Sequence, residues 1–133
     1  MTPFHLKIVT PDGMIYDGEA EQLTVRTQEG DVSILARHIN FVTPLGMGRA
    51  SVVANGQRHN AACIGGMLSV VNGEVTLVPT TFEWADQIDV ERAELAQQKA
   101  ESRMKTSTTD TELRLAQAKL HRALVRKSVA SYK

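Results

Sequence analysis

The sequence has 133 residues, enough for one compact domain with a further element attached. Its 15 lysines and arginines balance 15 aspartates and glutamates, so no net positive charge would hold the chain on nucleic acid. No apolar run reaches the roughly 20 residues that a membrane span requires, and the start lacks a signal-peptide pattern. We therefore expect a soluble intracellular protein.

Residues 1–84 are predicted to form an antiparallel all-β domain. Residues 4–8 and 23–27 alternate between apolar and polar side chains, as half-buried strands do. Asn55-Gly56 and Asn72-Gly73 are strong hairpin-turn signals between such runs. Many short strands separated by turns predict a sandwich or a flattened barrel.

Residues 85–133 are predicted to form an antiparallel hairpin of two helices, because strong helix formers replace glycine and proline after Asp86. Asp89 is placed to cap a first helix that runs to about Met104. Thr109 and Glu112 have the spacing of a capping box at the start of a second helix. The apolar stripe of the second helix is Leu113, Ala116, Leu120, Ala123 and Leu124.

The predicted hairpin is rich in alanine and basic. Because alanines bury little apolar area, we expect the two helices to hold each other weakly, so that the hairpin can move. By count, residues 85–133 carry ten lysines and arginines against seven aspartates and glutamates, whereas residues 1–84 carry five against eight. A basic hairpin suits an acidic protein partner or a phosphate-bearing ligand, although such a face is usually only solvated.

The sequence predicts no catalytic residues and no metal site. Gly46-Met47-Gly48 precedes a strand pattern, whereas a dinucleotide-binding glycine motif opens a helix, so we interpret these glycines as a turn or bulge. His59 and Cys63 would lie about 13 Å apart along a strand, too far for one metal ion. Cys63 is the only cysteine and is predicted to be a small buried residue.

One cluster in the hairpin could bind a ligand. If the loop is centred near Ser107 and Thr108, Arg92 lies level with about residue 123 and Asp89 with about residue 126. Asp89, Arg92, Arg122 and Arg126 would then converge at the open end of the hairpin. They would form either an exposed ion pair between Asp89 and Arg126 or a site for a polyanion such as a triphosphate, with Glu83 as acceptor for an adenine amino group.

Three segments of the first 84 residues resemble the epsilon subunits of F-type ATP synthases. They are residues 8–13, residues 29–35 followed by His38, and the pair Gly65-Gly66 before a strand. The resemblance extends over essentially the whole chain and implies a β-sandwich followed by a helical hairpin. In the run of residues 36–40, Ala-Arg-His-Ile-Asn replaces the more usual Pro-Gly-His-Ile-Pro.

The run Ile88-Asp89-Val90-Glu91-Arg92-Ala93 resembles the ATP-binding motif of epsilon subunits from bacilli. The resemblance implies that ATP is a regulatory ligand and leaves the need for magnesium open. The residues it assigns to ATP binding are Glu83, Ile88, Asp89, Arg92, Ala93, Lys99, Arg122 and Arg126.

The resemblance also implies partners and a mechanism without catalysis by this chain. The β-sandwich would contact the gamma subunit and the ring of c subunits, with Glu29, Asp31 and His38 as contact residues. The hairpin would extend into the head of alpha and beta subunits, contact it through Arg103 and Arg114, and inhibit ATP hydrolysis until ATP refolds it. The expected location is the cytoplasmic face of the bacterial plasma membrane, as a peripheral protein.

Two other functions fit the residues alone. The first is a stand-alone β-sandwich adaptor whose hairpin recognises an unrelated partner or ligand, and co-purification with a multi-subunit complex would argue against it. The second is an enzyme whose site is assembled from both halves, for which turnover by the isolated chain is the discriminating sign.

Overall fold

A computed structural model describes residues 2–132 and divides the chain into two compact units, Met1–Trp84 and Ala85–Lys133. The predicted domains comprise residues 1–84 and 85–133. Met1, the first residue of one, and Lys133, the last residue of the other, lie outside the described residues. The first unit is a β-sandwich and the second is helical, as the sequence predicts.

The sandwich consists of two five-stranded sheets, ordered β2-β1-β9-β8-β5 and β10-β7-β6-β3-β4. Neighbouring strands are antiparallel except β1 and β9, which run parallel. The strands are β1 (Phe4–Thr10), β2 (Gly13–Ala20), β3 (Gln22–Thr27), β4 (Gly30–Ile34), β5 (Phe41–Pro44), β6 (Met47–Ala54), β7 (Gln57–Ile64), β8 (Met67–Val71), β9 (Glu74–Val78) and β10 (Thr81–Trp84).

The core of the sandwich follows from the alternation of side chains along the strands. In β1, Phe4, Leu6 and Ile8 are buried while the residues between them are partly exposed, because successive side chains point to opposite faces of a sheet. Buried positions of both sheets form one apolar cluster, which includes Leu23, Val25, Val52, Leu68, Val70 and Leu77.

The two Asn-Gly pairs form the predicted hairpin turns. Asn55 and Gly56 join β6 to β7 with φ angles of 53° and 73°, and Asn72 and Gly73 join β8 to β9 with 50° and 82°. A two-residue turn of this type needs positive φ at both positions, which asparagine and glycine tolerate best. These turns fix the register of both strand pairs.

Gly48, His59 and Cys63, considered above as parts of possible enzyme motifs, lie on strands of the sandwich. His59 and Cys63 both lie on β7, as expected, and burial raises the pKa of the Cys63 thiol to about 12. Gly48 lies where an added Cβ would come within 2.7 Å of the Arg26 Cβ, so a close approach of strands requires glycine there. Within residues 2–132, no group of three or more metal-binding side chains is arranged to hold an ion.

The helical unit begins with a single 3-10 turn, Ala85–Gln87, and continues with α1 (Val90–Thr106) and α2 (Asp110–Ala130). Helix α1 runs two residues beyond the predicted end at Met104. The predicted stripe of α2 is wrong at Leu124, which is 43% exposed, because this residue lies about 100° around the helix from the buried Ala123. Val125 and Val129, outside that stripe, are buried.

His5 lies between two carboxylates on the outer face of the first sheet. Its Nε2 is 2.6 Å from Asp17 Oδ1 and its Nδ1 is 2.6 Å from Glu74 Oε2. The hydrogen bond to Asp17, followed by that to Glu74, raises the pKa of His5 above its ordinary value. When both ring nitrogens carry protons, the imidazolium donates to β2 and β9 at once and links three adjacent strands.

We expect the contribution of His5 to the stability of the sandwich to depend on pH. Because the folded state raises the pKa of His5, this contribution is fully present below the unfolded pKa and is lost as pH rises through the folded pKa. Thermal unfolding of the wild type and of His5→Gln, measured from about pH 5 to 9, should differ most at the acid end. A difference in melting temperature that stays constant across this range would contradict the ion pairing.

Candidate functional site

Asp89 starts helix α1, as its position predicted. Its Oδ1 accepts a hydrogen bond from the backbone N–H of Arg92 at 3.1 Å, and its backbone carbonyl accepts from the N–H of Ala93 at 3.0 Å. A carboxylate at this point also faces the positive end of the helix dipole. Asp89, which belongs to the predicted ATP motif, therefore caps helix α1. Contact with a ligand would be a second role.

The second helix starts at a variant of the predicted capping box. The Thr109 hydroxyl oxygen accepts from the backbone N–H of Glu112 at 3.1 Å. The Glu112 carboxylate reaches back one residue further than in the usual box, where it accepts from the N–H of Thr108 at 3.1 Å and from its hydroxyl at 3.3 Å. The last two residues of the loop between the helices are thus held by side-chain hydrogen bonds.

The two helices pack through alanines. Ala93 and Ala100 of α1 and Ala116 and Ala123 of α2 are all buried. Side chains this small let helix axes approach closely, but they remove little apolar surface from water. The alanine-rich seam expected from the sequence is confirmed.

A cationic groove runs along one side of this seam and has a volume of about 190 Å³. Its cations recur at helical spacing on both helices, so they share one face of the hairpin. Among the described residues 2–132, no carboxylate lines it. The groove residues are Ala96, Lys99, Ala100, Arg103, Lys119, Arg122 and Arg126.

A second cleft of about 200 Å³ continues the groove toward the loop. The two share Arg103 and Lys119, and the cleft adds Thr106, Ser107, Glu112, Leu115 and Ala116. The cationic groove therefore leads into an end of mixed polarity formed by the last turn of α1 and the first turns of α2.

The groove cations differ in their partners from Lys127, which lies on the opposite edge of the hairpin. Lys127 Nζ is 2.8 Å from Glu94 Oε2 and donates to Gln97 Oε1 at 2.7 Å. In contrast, Lys99, Arg103, Lys119 and Arg122 make no side-chain hydrogen bond or ion pair within residues 2–132. Four unneutralised cations on one groove repel one another and create a site of positive potential.

A side-chain contact between the two helices is offset from the levels expected for their backbones. An alignment with Arg92 level with residue 123 would set Glu94 beside residue 121, but Glu94 contacts Lys127. Side chains tilt toward the N-terminus of their own helix, which is away from the loop for α1 and toward the loop for α2. A residue of α1 therefore contacts a residue of α2 whose Cα lies further from the loop than its own. Consequently, the α1 side of the groove begins at Ala96, one turn beyond Arg92.

The predicted ATP-binding residues divide into three groups. Lys99, Arg122 and Arg126 line the groove. Asp89 and Arg92 are exposed at the start of α1, where Ile88 and Ala93 are buried. Glu83 is half-buried on β10 of the sandwich, opposite Ala62 of β7.

Two groove residues were not predicted to belong to the ATP site. Arg103 was assigned to contact with a catalytic head, yet it lies in the groove, whereas Arg114 is exposed outside it. Lys119 was not assigned to any site. Its spacing of three and seven residues from Arg122 and Arg126 is the signal that would have placed it on their helical face.

The predicted rotor-contact residues lie on exposed loops and edges of the sandwich. Asp31 makes a cross-strand ion pair with Arg26 at 3.5 Å, and Glu29 lies in the turn before β4. The His38 ring is 5.0 Å from that of Phe41. Arg37 next to it has a φ of 66°, a strained value for arginine, at a place where the related run described above has glycine.

Comparison with known families assigns both units. The family model for the β-sandwich domain of the ATP synthase delta/epsilon chain matches residues 3–85, and that for its long alpha-helix domain matches residues 86–131. The chain belongs to the ATP synthase delta/epsilon family. Within residues 2–132, neither helix of this family member is both long and apolar enough to cross a lipid bilayer.

Several relatives in this family are named ATP synthase epsilon chain. One from Bacillus velezensis is 41% identical over 130 residues and covers 98% of both chains. One from Shouchella clausii is 36% identical over 133 residues, covering 100% of this chain and 98% of the relative. The prediction of an F-type ATP synthase epsilon subunit is thereby confirmed.

Solved structures share the fold of this delta/epsilon family member at lower identity. A chain of the Euglena gracilis mitochondrial ATP synthase, from a structure described as OSCP/F1/c-ring, superposes with a TM-score of 0.85 at 21% identity, covering 100% of this chain and 83% of that one. A chain from the Tetrahymena thermophila mitochondrial ATP synthase, described as central stalk/cring, has a TM-score of 0.57 at 14% identity, covering 87% and 95%.

Proposed function

We propose that this epsilon subunit is a non-catalytic part of the central stalk whose hairpin binds ATP when closed and inhibits ATP hydrolysis when extended. The observation that carries the proposal is the cationic groove, because α1 and α2 each supply part of it. Lys99 and Arg103 come from α1, and Lys119, Arg122 and Arg126 come from α2. A ligand that contacts both sets binds only the closed hairpin.

The charges of the groove make this equilibrium responsive to a polyanion. Repulsion between the cations of the two helices favours their separation, and the alanine seam offers little apolar burial to oppose it. A triphosphate between the helices turns that repulsion into attraction through charge-assisted hydrogen bonds. ATP shifts the population toward the closed hairpin by its differential affinity for the two states.

The extended hairpin would present the same cations to the head of alpha and beta subunits. Basic helices are attracted to acidic protein surfaces, and Arg103 and Arg114 would then contact the head and oppose rotation. Arg103 would therefore change partners between the two states. High ATP would close the hairpin and relieve the inhibition.

The β-sandwich would attach the subunit to the gamma subunit and the ring of c subunits, with Glu29, Asp31 and His38 among the contacts. Two observations support a protein partner for the sandwich. Val42, Met67 and Val78 are exposed on the outer face of the first sheet, where apolar side chains favour docking. The two similar structures come from assemblies described with a c-ring. Such an attachment implies a peripheral location at the cytoplasmic face of a bacterial plasma membrane.

Calorimetric titration of the full chain with ATP, with and without magnesium, tests the ligand. We expect saturable binding that weakens by at least about tenfold in Arg122→Gln, since one charge-assisted hydrogen bond contributes that much. Lys105→Gln removes one charge from an exposed position of α1 and is the matched control. Asp89→Asn keeps the capping oxygen and removes the charge, so it separates a ligand contact of Asp89 from its role at the helix start.

ATP hydrolysis by the assembled complex tests the regulation. With Arg122→Gln, inhibition should persist at ATP concentrations that relieve it in the wild type. Equal relief in both complexes would overturn the regulatory proposal, and absence of saturable ATP binding by the wild-type chain would overturn the ligand assignment.

A further inference from the structure

The β4–β5 loop, residues 35–40, presents a cation on a strained backbone. Arg37 in this loop has a φ of 66°. A side chain with a Cβ adopts this conformation at a cost that glycine does not bear, and the related run described above has glycine at this position. Strained residues of this kind cluster at binding and switching sites, which makes the Arg37 side chain a candidate for recognition.

The backbone of the β4–β5 loop is held at two points. The N–H of His38 donates to the carbonyl oxygen of Leu35 at 3.3 Å. The side-chain oxygen of Asn40 accepts from the N–H of Asn72, in the turn between β8 and β9, at 2.8 Å. These bonds lie on either side of Arg37 along the chain, so the direction of its Cα–Cβ bond is fixed.

The charge of Arg37 has no partner within the chain. Among the described residues 2–132, its guanidinium makes no hydrogen bond or ion pair. Glu21 lines the same pocket of about 250 Å³, but its Oε1 accepts from the backbone N–H of Gly56 at 2.9 Å. By contrast, Arg26 of the same sandwich is 3.5 Å from the carboxylate of Asp31.

Apolar side chains flank this cation. Leu35 is 46% exposed and Ile39 is 76% exposed, and each lies two residues from Arg37. Val42 on β5 continues the exposed apolar surface onto the outer face of the first sheet. Exposed apolar side chains favour docking of a protein, and a charge interacts more strongly where docking removes water. The loop therefore suits a protein surface that carries a carboxylate among apolar side chains.

The predicted rotor contacts lie at both ends of β4. Glu29 and Asp31 lie at its start, and the β4–β5 loop with His38 follows its end. At about 3.3 Å per residue, Asp31 is about 13 Å from Leu35 along the strand. One end presents carboxylates and the other presents a cation with apolar neighbours. Opposite charges at separate places match two partner surfaces, and the proposed function supplies two, the gamma subunit and the ring of c subunits.

We infer that Arg37 is a specificity-determining residue of the contact with the gamma subunit, where it pairs with a carboxylate that apolar side chains surround. The inference rests on the proposed function for the identity of the partner. The gamma subunit is assigned to this end because the loop continues into the apolar outer face of the first sheet, which suits a broad contact that holds the sandwich on the stalk. Arg37 then weakens the free sandwich through strain and strengthens the complex through charge.

Titration of the full chain into alpha–beta–gamma complexes that lack this subunit and the c ring tests the inference. Arg37→Gln keeps the strain and removes the charge, so it should weaken binding by about tenfold. Arg37→Gly removes both and should weaken binding as much, while its melting temperature equals or exceeds that of the wild type. Lys105→Gln, which removes an exposed cation of α1, is the control and should change the affinity by less than about twofold.

Arg37→Lys separates the charge from the shape of the side chain. It should bind more tightly than Arg37→Gln, because it keeps the charge and loses only the guanidinium fork. Unchanged affinity in both Arg37→Gln and Arg37→Gly would overturn the role of Arg37 and leave the attachment to the gamma subunit intact. Absence of binding by the wild type would overturn that attachment, and the inference with it.

Cross-linking in the complete ATP synthase identifies the partner. Cys63 is buried, and burial raises the pKa of its thiol to about 12, so the cysteine introduced by Ile39→Cys is the reactive one. A photoactivatable cross-linker on this cysteine should join the chain to the gamma subunit. Cross-linking to c subunits alone would overturn the assignment to gamma.

Discussion

Gly66→Ala is expected to destabilise the β-sandwich by about 3 kcal/mol or more. Gly66 has a φ of 98°, and an added Cβ would lie 2.0 Å from the carbonyl oxygen of Val78 and 2.6 Å from the Cα of Pro79. Both obstructing atoms belong to the backbone, which cannot rotate away as a side chain can. The Gly66 carbonyl also accepts a hydrogen bond from the N–H of Leu45 at 2.8 Å, which fixes its own peptide.

Urea unfolding followed by the fluorescence of Trp84, the single tryptophan, measures this loss. Gly73→Ala is the matched control, because Gly73 has a similar φ of 82° but open space around the added Cβ. Gly73→Ala should lower the free energy of unfolding by about 1 kcal/mol, which is the conformational penalty alone. Equal losses in the two variants would contradict the close approach of Val78.

Ala123→Asp is expected to open the helical hairpin while the β-sandwich stays folded. Ala123 is 1% exposed in the seam between α1 and α2. A carboxylate there loses its hydration without a partner, at a cost of several kcal/mol. Because the seam is built mostly from alanines, its apolar burial is too small to offset that cost. Hydrogen exchange should show loss of amide protection along both helices.

Leu124→Asp is the control for this variant, since residue 124 is adjacent but 43% exposed. It should leave the protection of both helices nearly unchanged, as exposed substitutions usually do. Protection lost equally in both variants would show that helix propensity, and not the buried seam, controls the hairpin. The Trp84 unfolding transition should be the same in the wild type and in both variants.

Local patterns were sufficient for the type of the elements and for the starts of both helices. The alternation in residues 4–8 gave the inward-facing side of β1, and the Asn-Gly pairs gave two hairpin turns, because these features depend on neighbouring residues only. Asp89 and Thr109 marked the starts of both helices for the same reason. The parallel pairing of β1 with β9 was not predicted, since strand order depends on packing between distant segments.

The site was predicted less completely than the fold. Lys99, Arg122 and Arg126 were identified, and they do share a groove. Lys119 was not grouped with them although its spacing from Arg122 places it on the same helical face. Arg103 could be grouped with them only through the alignment of the two helices, in which side chains tilt toward each helix's N-terminus. A shift of a few residues in that alignment decides which cations face one another, and spacing within one helix cannot supply it.

The parallel pairing of β1 and β9 has a consequence for the order of folding. The paired residues His5 and Glu74 are 69 positions apart, so this pairing forms only after nearly the whole sandwich has been synthesised. Closing so long a loop is slow, whereas the α1–α2 hairpin depends on contacts that are close in sequence. On the ribosome, β1 and β2 therefore emerge first and keep an unpaired strand edge until Val78 has left the exit tunnel.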